Sequence, residues 1–196
     1  MYKVIGHPRT RTFRVIWMLE ELGQDYELIP LSPGSDAMKN INPSGKAPAL
    51  QVDGVTLTDS SAIMCYLADK HGQFTHPCGT IERARQDAFL HQINDEFDAV
   101  LWTAARHSFV LPEEKRVPEV KESLRWELAY NADRIADQIE GEFLLGDQMT
   151  VPDIMLTHCL NWAFAAKFPL ENEKLRAYSK NMRARPAYKR AFALRE

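Results

Sequence analysis

The sequence predicts an α/β domain followed by an all-helical domain. Strand-like and helix-like segments alternate in its first part, whereas the later apolar residues repeat at helical spacing. We therefore place a first domain at residues 1–75, a linker at 76–83 and a helical domain at 84–196. A chain of 196 residues is long enough to bury a core in each of two small domains.

The first domain opens with a strand, a helix and a second strand. MYKVIG and DYELIPL are typical of strands, and apolar residues recur on one helical face of Phe13–Leu22. Gly23 follows, as expected at a helix end. This order normally gives a parallel pair with a right-handed crossover. A polar connector at residues 32–42 comes next.

Two more strands and a helix complete the predicted domain. The strands are Ala49–Val52 and Val55–Thr58, joined by Asp53-Gly54, a turn pair that favours an antiparallel hairpin. Asp59 or Ser60 then caps a helix. The first domain is therefore β-α-β, connector, β-β-α.

The helical domain contains one segment that is apolar almost all round, TVPDIMLTHCLNWAFA. Thr150 and Asp153 stand at capping-box spacing, and Pro152 occupies the permissive first turn. Such a helix belongs in the middle of a bundle. The last segment, Lys174 to Glu196, holds eight basic residues and one acid, which indicates either a solvated helix face or a surface for an anionic partner.

Composition excludes several classes of function. A net charge of −3 provides no basic field for nucleic acid, and no apolar run approaches the ~20 residues that cross a bilayer. The histidines lack metal-ligand spacing, so no metal is expected. Three scattered cysteines, Cys65, Cys78 and Cys159, indicate reduced thiols, and we expect a cytoplasmic location.

Several local sequences, taken in order, resemble the cytosolic glutathione S-transferase family, bacterial-type and serine- or threonine-dependent. They are HPRTRTFRVIWMLEELG, NPSGKAPAL, DSSAI, LLGDQMTVPDIML and RARPAYKRA. The resemblance covers nearly the whole chain. It implies a thioredoxin-like N-terminal domain, an all-α C-terminal bundle and a homodimer.

The resemblance also implies a site for the tripeptide glutathione. A cis bond between Ala47 and Pro48 would present the Ala47 backbone to the peptide, and Lys46 would pair with the glycine carboxylate. Ser60 would bind the γ-glutamyl carboxylate and Asp59 the ammonium group. Ordinary helix capping by Asp59 and Ser60 is the alternative.

By the same resemblance, Thr10 stands where related enzymes carry a hydroxyl that stabilises the glutathione thiolate. Thr12 and Arg11 are the alternates, and a threonine that only caps the helix is the competing interpretation.

The second substrate is expected to be a small hydrophobic electrophile. Candidate pocket residues are Phe13, Trp102, Arg106 and Phe109, although aromatic residues at helical spacing are more often core. The expected function is glutathione transfer to such an electrophile. The alternatives are a glutathione-dependent isomerase or dehalogenase, and a non-catalytic binding or regulatory module.

Overall fold

The computed structural model describes residues 1–195, which form two compact units. The first unit is Met1–Pro77 together with the segment from Met182 onward, and the second is Cys78–Asn181. The predicted division placed the whole C-terminal segment with the helical domain, and the structure differs there. Glu196, the last residue of that predicted domain, lies outside the described residues.

The first unit is built on a four-stranded sheet in the order β2-β1-β3-β4. β1 pairs with β2 in parallel, and the other two pairings are antiparallel. The predicted β-α-β unit and hairpin are therefore confirmed. The elements are β1 (Tyr2–Ile5), α1 (Thr12–Leu22), β2 (Tyr26–Ile29), α2 (Asp36–Ile41), β3 (Ala49–Val52), β4 (Val55–Thr58) and α3 (Ser60–His71), with α9 (Pro186–Ala193) from the C-terminal segment.

The connector after β2 contains a short helix, α2, that the sequence pattern did not predict. The Ser35 side chain caps it by accepting the Met38 N–H at 3.2 Å. Met38 is fully buried and packs with Ile5 of β1 and Ala49 of β3. Leu31 and Ile41 also pack against this cluster, so apolar side chains fix the polar connector by filling the core beside the sheet.

Helix α9 packs on α1 through aromatic rings. The Tyr188 ring lies 5.3 Å from the Phe13 ring and 5.0 Å from the Trp17 ring, measured between centroids. Both contacts are edge-on, the arrangement that aromatic pairs prefer. These contacts explain why the C-terminal segment belongs to the first unit.

Two arginines of the C-terminal segment pair with the acidic end of α1. Arg185 donates to both carboxylate oxygens of Glu21, at 2.7 and 2.8 Å. Arg190 donates to the Glu20 carboxylate at 2.6 Å and to the Glu20 carbonyl at 3.0 Å. Part of the basic surplus is thus used within the chain, in a forked geometry that arginine suits.

The second unit is helical. Its elements are α4 (Ile81–Ile93), a π-helical segment (Asn94–Ala99), α5 (Val100–Ala105), a second π-helical segment (Arg106–Val110), a 3-10 turn (Glu113–Lys115), α6 (Val120–Gln138) and α7 (Val151–Ala165), with α8 (Glu173–Ala184) ending across the boundary. As predicted, α7 is buried along most of its length. Within residues 1–195, no helix is long and apolar enough to cross a membrane.

The buried carboxylate of Asp153 organises the start of α7. One oxygen accepts the Leu144 N–H at 2.9 Å and the Tyr178 hydroxyl at 2.7 Å. The other accepts the Thr150 N–H at 2.7 Å and the Thr150 hydroxyl at 3.0 Å, which completes the predicted capping box. Burial raises the pKa of Asp153, and these four hydrogen bonds oppose the rise.

We predict that Asp153→Ala destabilises the protein by about 3–5 kcal/mol, because several buried donors lose their acceptor together. Thermal or urea unfolding followed by circular dichroism measures the change. Asp147→Ala is the matched control, since Asp147 lies in the loop just before α7 and is exposed. Equal midpoints for the two variants would contradict the organising role of Asp153.

Candidate functional site

The turn between β1 and α1 holds Thr10 in a network of short hydrogen bonds. The Thr10 hydroxyl donates to the His7 carbonyl at 2.8 Å, and its oxygen accepts the Thr12 N–H at 3.2 Å. The Thr12 hydroxyl lies 2.9 Å from it. Because a hydroxyl has one hydrogen, and Thr10 directs its own at His7, Thr12 is the donor in that pair.

Thr10 and Thr12 differ in access. Thr10 is partly exposed, whereas Thr12 is fully buried. A Cβ built on Gly6, which has a φ of 135°, would lie only 2.3 Å from the Thr12 hydroxyl oxygen and 2.9 Å from the Ala47 Cβ. The Thr12 hydroxyl is therefore enclosed by backbone, and Thr10 is the hydroxyl that can meet a ligand.

Arg11 occupies the N-cap position of α1 and makes no capping hydrogen bond through its side chain. Capping falls instead to Thr10, whose oxygen accepts the Thr12 N–H. Thr10 therefore does cap α1, as the competing interpretation held. This capping does not exclude a ligand, because the Thr10 hydroxyl hydrogen can rotate about the Cβ–Oγ1 bond.

The Ala47–Pro48 peptide bond is cis, as the resemblance implied. Pro48 is buried and the next residue, Ala49, begins β3 opposite Ile5. Within residues 1–195, no hydrogen bond reaches the Ala47 N–H or C=O. An extended peptide binds by strand-like hydrogen bonds to a backbone edge of this kind.

The loop that carries Lys46 is held in shape by Asn42. The Asn42 amide donates to the Lys46 carbonyl at 2.8 Å, and its oxygen accepts from the Ser44 N–H and hydroxyl. The Lys46 side chain is exposed beside Ala47. A cation is therefore placed next to the open backbone edge.

Asp59 precedes α3 with a φ of 70° and a ψ of 124°, an uncommon conformation for a residue other than glycine. Its carboxylate accepts the N–H of Ser61 at 2.9 Å and of Ala62 at 3.1 Å. The capping interpretation is thus confirmed for Asp59. The side chain is nevertheless exposed, and such backbone conformations concentrate at functional positions.

Ser60 is the first residue of α3 and is buried. Its hydroxyl oxygen accepts a hydrogen bond from Nη1 of Arg14 at 3.1 Å. Arg14 lies on α1, is only 1% exposed, and was not predicted as a site residue. The signal was available in the sequence, because Arg14 is a charged residue in an otherwise apolar run from Phe13 to Leu19.

The structure places Phe13 in the core, so the expectation that it lines a substrate pocket is corrected. Phe13 is 1% exposed and packs against the rings of Trp17 and Tyr188. The Arg195 guanidinium lies 5.4 Å from the Phe13 ring centroid. These contacts cover the ring and leave no open face for a ligand.

The other three pocket candidates lie in the second unit, on one helical run. Trp102 and Arg106 are partly exposed and four residues apart, whereas Phe109 is 70% exposed. Arg106 donates to the Thr103 hydroxyl at 2.8 Å. Arg106 and Phe109 belong to a π-helical segment, a feature that often marks functional sites.

In residues 1–195, no three histidine, cysteine, aspartate or glutamate side chains are grouped so as to hold a metal ion.

Two family models match the chain. The model described as the glutathione S-transferase N-terminal domain matches residues 12–75, and the glutathione S-transferase C-terminal domain matches residues 95–186. The first range includes α1, the cis-proline loop and the start of α3.

Similar proteins and structures are known over most of the chain. Glutathione S-transferase GstA of Escherichia coli O157:H7 is 31% identical, with 89% of each chain covered. The crystal structure of a glutathione transferase from Methylococcus capsulatus has a TM-score of 0.87 at 28% identity, covering 100% of this chain and 98% of that one. The ternary complex of BphK, a bacterial GST, has a TM-score of 0.88 at 27% identity, with 98% of each chain covered.

We predict that Gly6→Ala lowers stability by about 1–3 kcal/mol more than Gly34→Ala, because only the first crowds Thr12 and Ala47. Gly34 also has a positive φ, of 80°, but a Cβ there meets nothing within 4 Å, so Gly34→Ala gives the cost of a side chain at a positive φ without crowding. Thermal unfolding of both variants makes the comparison. Equal losses would mean that the turn is not tightly packed.

Proposed function

The chain belongs to the glutathione S-transferase family and is a transferase with glutathione as its cosubstrate, and from that premise we propose that Thr10 stabilises the glutathione thiolate. The observation that carries the proposal is the accessible Thr10 hydroxyl at the N-terminal end of α1. The N-terminus of a helix favours a nearby negative charge.

The chemical step is attack by the cosubstrate sulfur on a carbon electrophile. The sulfur lone pair forms the new C–S bond. In substitution, the leaving group departs with its bonding electrons, and in conjugate addition the electrons move to the acceptor and a proton follows. A thiol with a pKa of about 8.5 is only a few per cent ionised at neutral pH, so stabilising the thiolate accelerates either reaction.

Thr10 can supply this stabilisation at small cost. When the tripeptide binds, the Thr10 hydrogen turns from the His7 carbonyl to the sulfur, while the Thr12 hydroxyl still donates to Thr10. A neutral hydrogen bond worth about 1 kcal/mol is exchanged for one to a charged group, worth about 1.5–3 kcal/mol. The balance lowers the pKa of the bound thiol by about one unit, and the α1 dipole adds to it. Arg11 contributes positive charge at the same turn.

Binding of the tripeptide is assigned to the rest of the first unit. The Ala47 N–H and C=O pair with the cysteinyl backbone, and Lys46 pairs with the glycine carboxylate. Asp59 binds the γ-glutamyl ammonium group, and Ser60 donates to the γ-glutamyl carboxylate. The open backbone edge at Ala47 and the exposed charges of Lys46 and Asp59 support these assignments.

We propose a small hydrophobic electrophile as the second substrate, contacted by Trp102, Arg106 and Phe109. Their shared position on one helical run supports this assignment. The similar proteins described above are named as transferases, so the isomerase, dehalogenase and non-catalytic alternatives are not favoured.

A cytoplasmic location and a homodimer complete the proposal. No disulfide bond joins Cys65, Cys78 or Cys159 to another cysteine, and a reducing compartment maintains that state. Light scattering of the purified protein tests the homodimer, and a monomer mass would contradict it.

We predict that Thr10→Ala raises the pKa of the bound thiol by about one unit and changes glutathione affinity by less than about threefold. Ultraviolet absorbance of the enzyme–glutathione complex across a pH series measures the pKa. Thr10→Ser retains the hydroxyl and should keep the wild-type value. Thr12→Val is the matched test of the alternate, and a larger shift there than in Thr10→Ala would transfer the role to Thr12.

We predict the opposite pattern for Ser60→Ala. Losing one hydrogen bond to a carboxylate should weaken glutathione binding about tenfold, whereas the pKa of the bound thiol stays within a few tenths of wild type. Calorimetry gives the affinity. Ser61→Ala is the control at the neighbouring position. An unchanged affinity in Ser60→Ala would remove Ser60 from the binding site.

A further inference from the structure

Arg14 links two parts of the proposed glutathione site, the start of α1 and the start of α3. It lies one helical turn after Thr10 on α1, and its guanidinium donates to the hydroxyl of Ser60, the first residue of α3, at 3.1 Å. Both side chains are buried, with exposures of 1% for Arg14 and 3% for Ser60. Neither the sequence motifs nor the assignments above give Arg14 a role.

Arg14 is the donor in this hydrogen bond and Ser60 is the acceptor. An arginine side chain has only donors, so the Ser60 oxygen must be the acceptor. A serine hydroxyl that accepts in this way keeps its own hydrogen for another partner. Within residues 1–195, the structure gives the Ser60 hydrogen no acceptor. Ser60 is therefore set as a donor, the polarity that a carboxylate requires.

We propose that Arg14 is a positioning residue for glutathione binding, which fixes the Ser60 hydroxyl as a donor toward the γ-glutamyl carboxylate. This inference rests on the proposed function, and specifically on the assignment of Ser60 to that carboxylate. Arg14 itself touches neither the tripeptide nor the reacting sulfur. Its effect should appear in the affinity for glutathione and not in the ionisation of the thiol.

The first test is the substitution Arg14→Met, which keeps the bulk of the side chain and removes its donors. The KM for glutathione should rise about tenfold. The kcat at saturating glutathione should stay within about twofold of wild type, and the pKa of the bound thiol within a few tenths of a unit. Arg14→Lys keeps a donor and should recover part of the affinity. A fall in kcat at unchanged KM would overturn the proposal.

A double-mutant cycle tests whether Arg14 acts through Ser60. Arg14→Met should weaken binding of S-methylglutathione, which has no free thiol, in the wild-type background but by less than about twofold in a Ser60→Ala background. If Arg14→Met weakens binding by the same factor in the wild-type and Ser60→Ala backgrounds, the proposal is overturned. If Arg14→Met does not fold, Arg14→Leu enters the same cycle, since it also removes the donors to Ser60.

A change in the ligand tests the same assignment, first in the wild-type protein and then in milder variants of Arg14. The tripeptide 4-aminobutyryl-cysteinyl-glycine lacks the γ-glutamyl carboxylate and keeps the rest of glutathione. The wild-type protein should bind it about tenfold more weakly than glutathione, and Arg14→Lys or Arg14→Gln should have no further effect on its binding. An equal loss for both ligands would overturn the role of Arg14. Failure of the wild-type protein to bind glutathione would instead contradict the proposed function.

Discussion

The hydrogen bonds among His7, Thr10 and Thr12 are the constraint on which the proposed chemistry depends. Thr12 is enclosed beside Gly6, where a single added carbon would clash, and its hydroxyl donates to Thr10. The Thr10 oxygen is thereby fixed at the start of α1, and its hydrogen alone is left to rotate. The site has a preset donor that needs no movement of the backbone to meet a sulfur anion.

Helix α1 is held at both ends. Its C-terminal end is paired with the last segment of the chain through Glu20 and Glu21, and the Tyr188 ring packs along it. Near its other end, Arg14 reaches to Ser60 at the start of α3. Because α1 is fixed in this way, the turn that carries Thr10 is held in a constant position relative to the loop at Ala47. Packing far from Thr10 therefore helps to position the proposed site.

Local sequence signals predicted much of the fold. Asp53-Gly54 marked the hairpin, Gly23 ended α1 in the left-handed conformation, and Thr150 with Asp153 marked the start of α7. These signals succeed because each depends on a few adjacent residues. The resemblance added the cis bond before Pro48, which composition alone does not specify.

Features that depend on contacts between residues far apart in the sequence could not be predicted from such local signals. Helix α2 is positioned by Met38, which packs against residues of β1 and β3. The Phe13 ring is covered by the ring of Tyr188, from the far end of the chain. Arg185 belongs to a pattern of basic residues that indicated a surface, but its partner Glu21 lies 164 positions away. Tertiary packing decides which side chains come into contact. Contacts in the candidate site, such as that between Arg14 and Ser60, therefore could not be predicted from local sequence.

The most direct test of thiolate stabilisation is the number of protons released when glutathione binds. Isothermal titration calorimetry at neutral pH, in buffers that differ in ionisation enthalpy, gives this number, and S-methylglutathione serves as the reference ligand. The account predicts that glutathione releases a substantial fraction of a proton more than S-methylglutathione does, because its thiol ionises in the site. Equal proton release by the two ligands would show that the bound thiol stays protonated and would contradict the role given to Thr10.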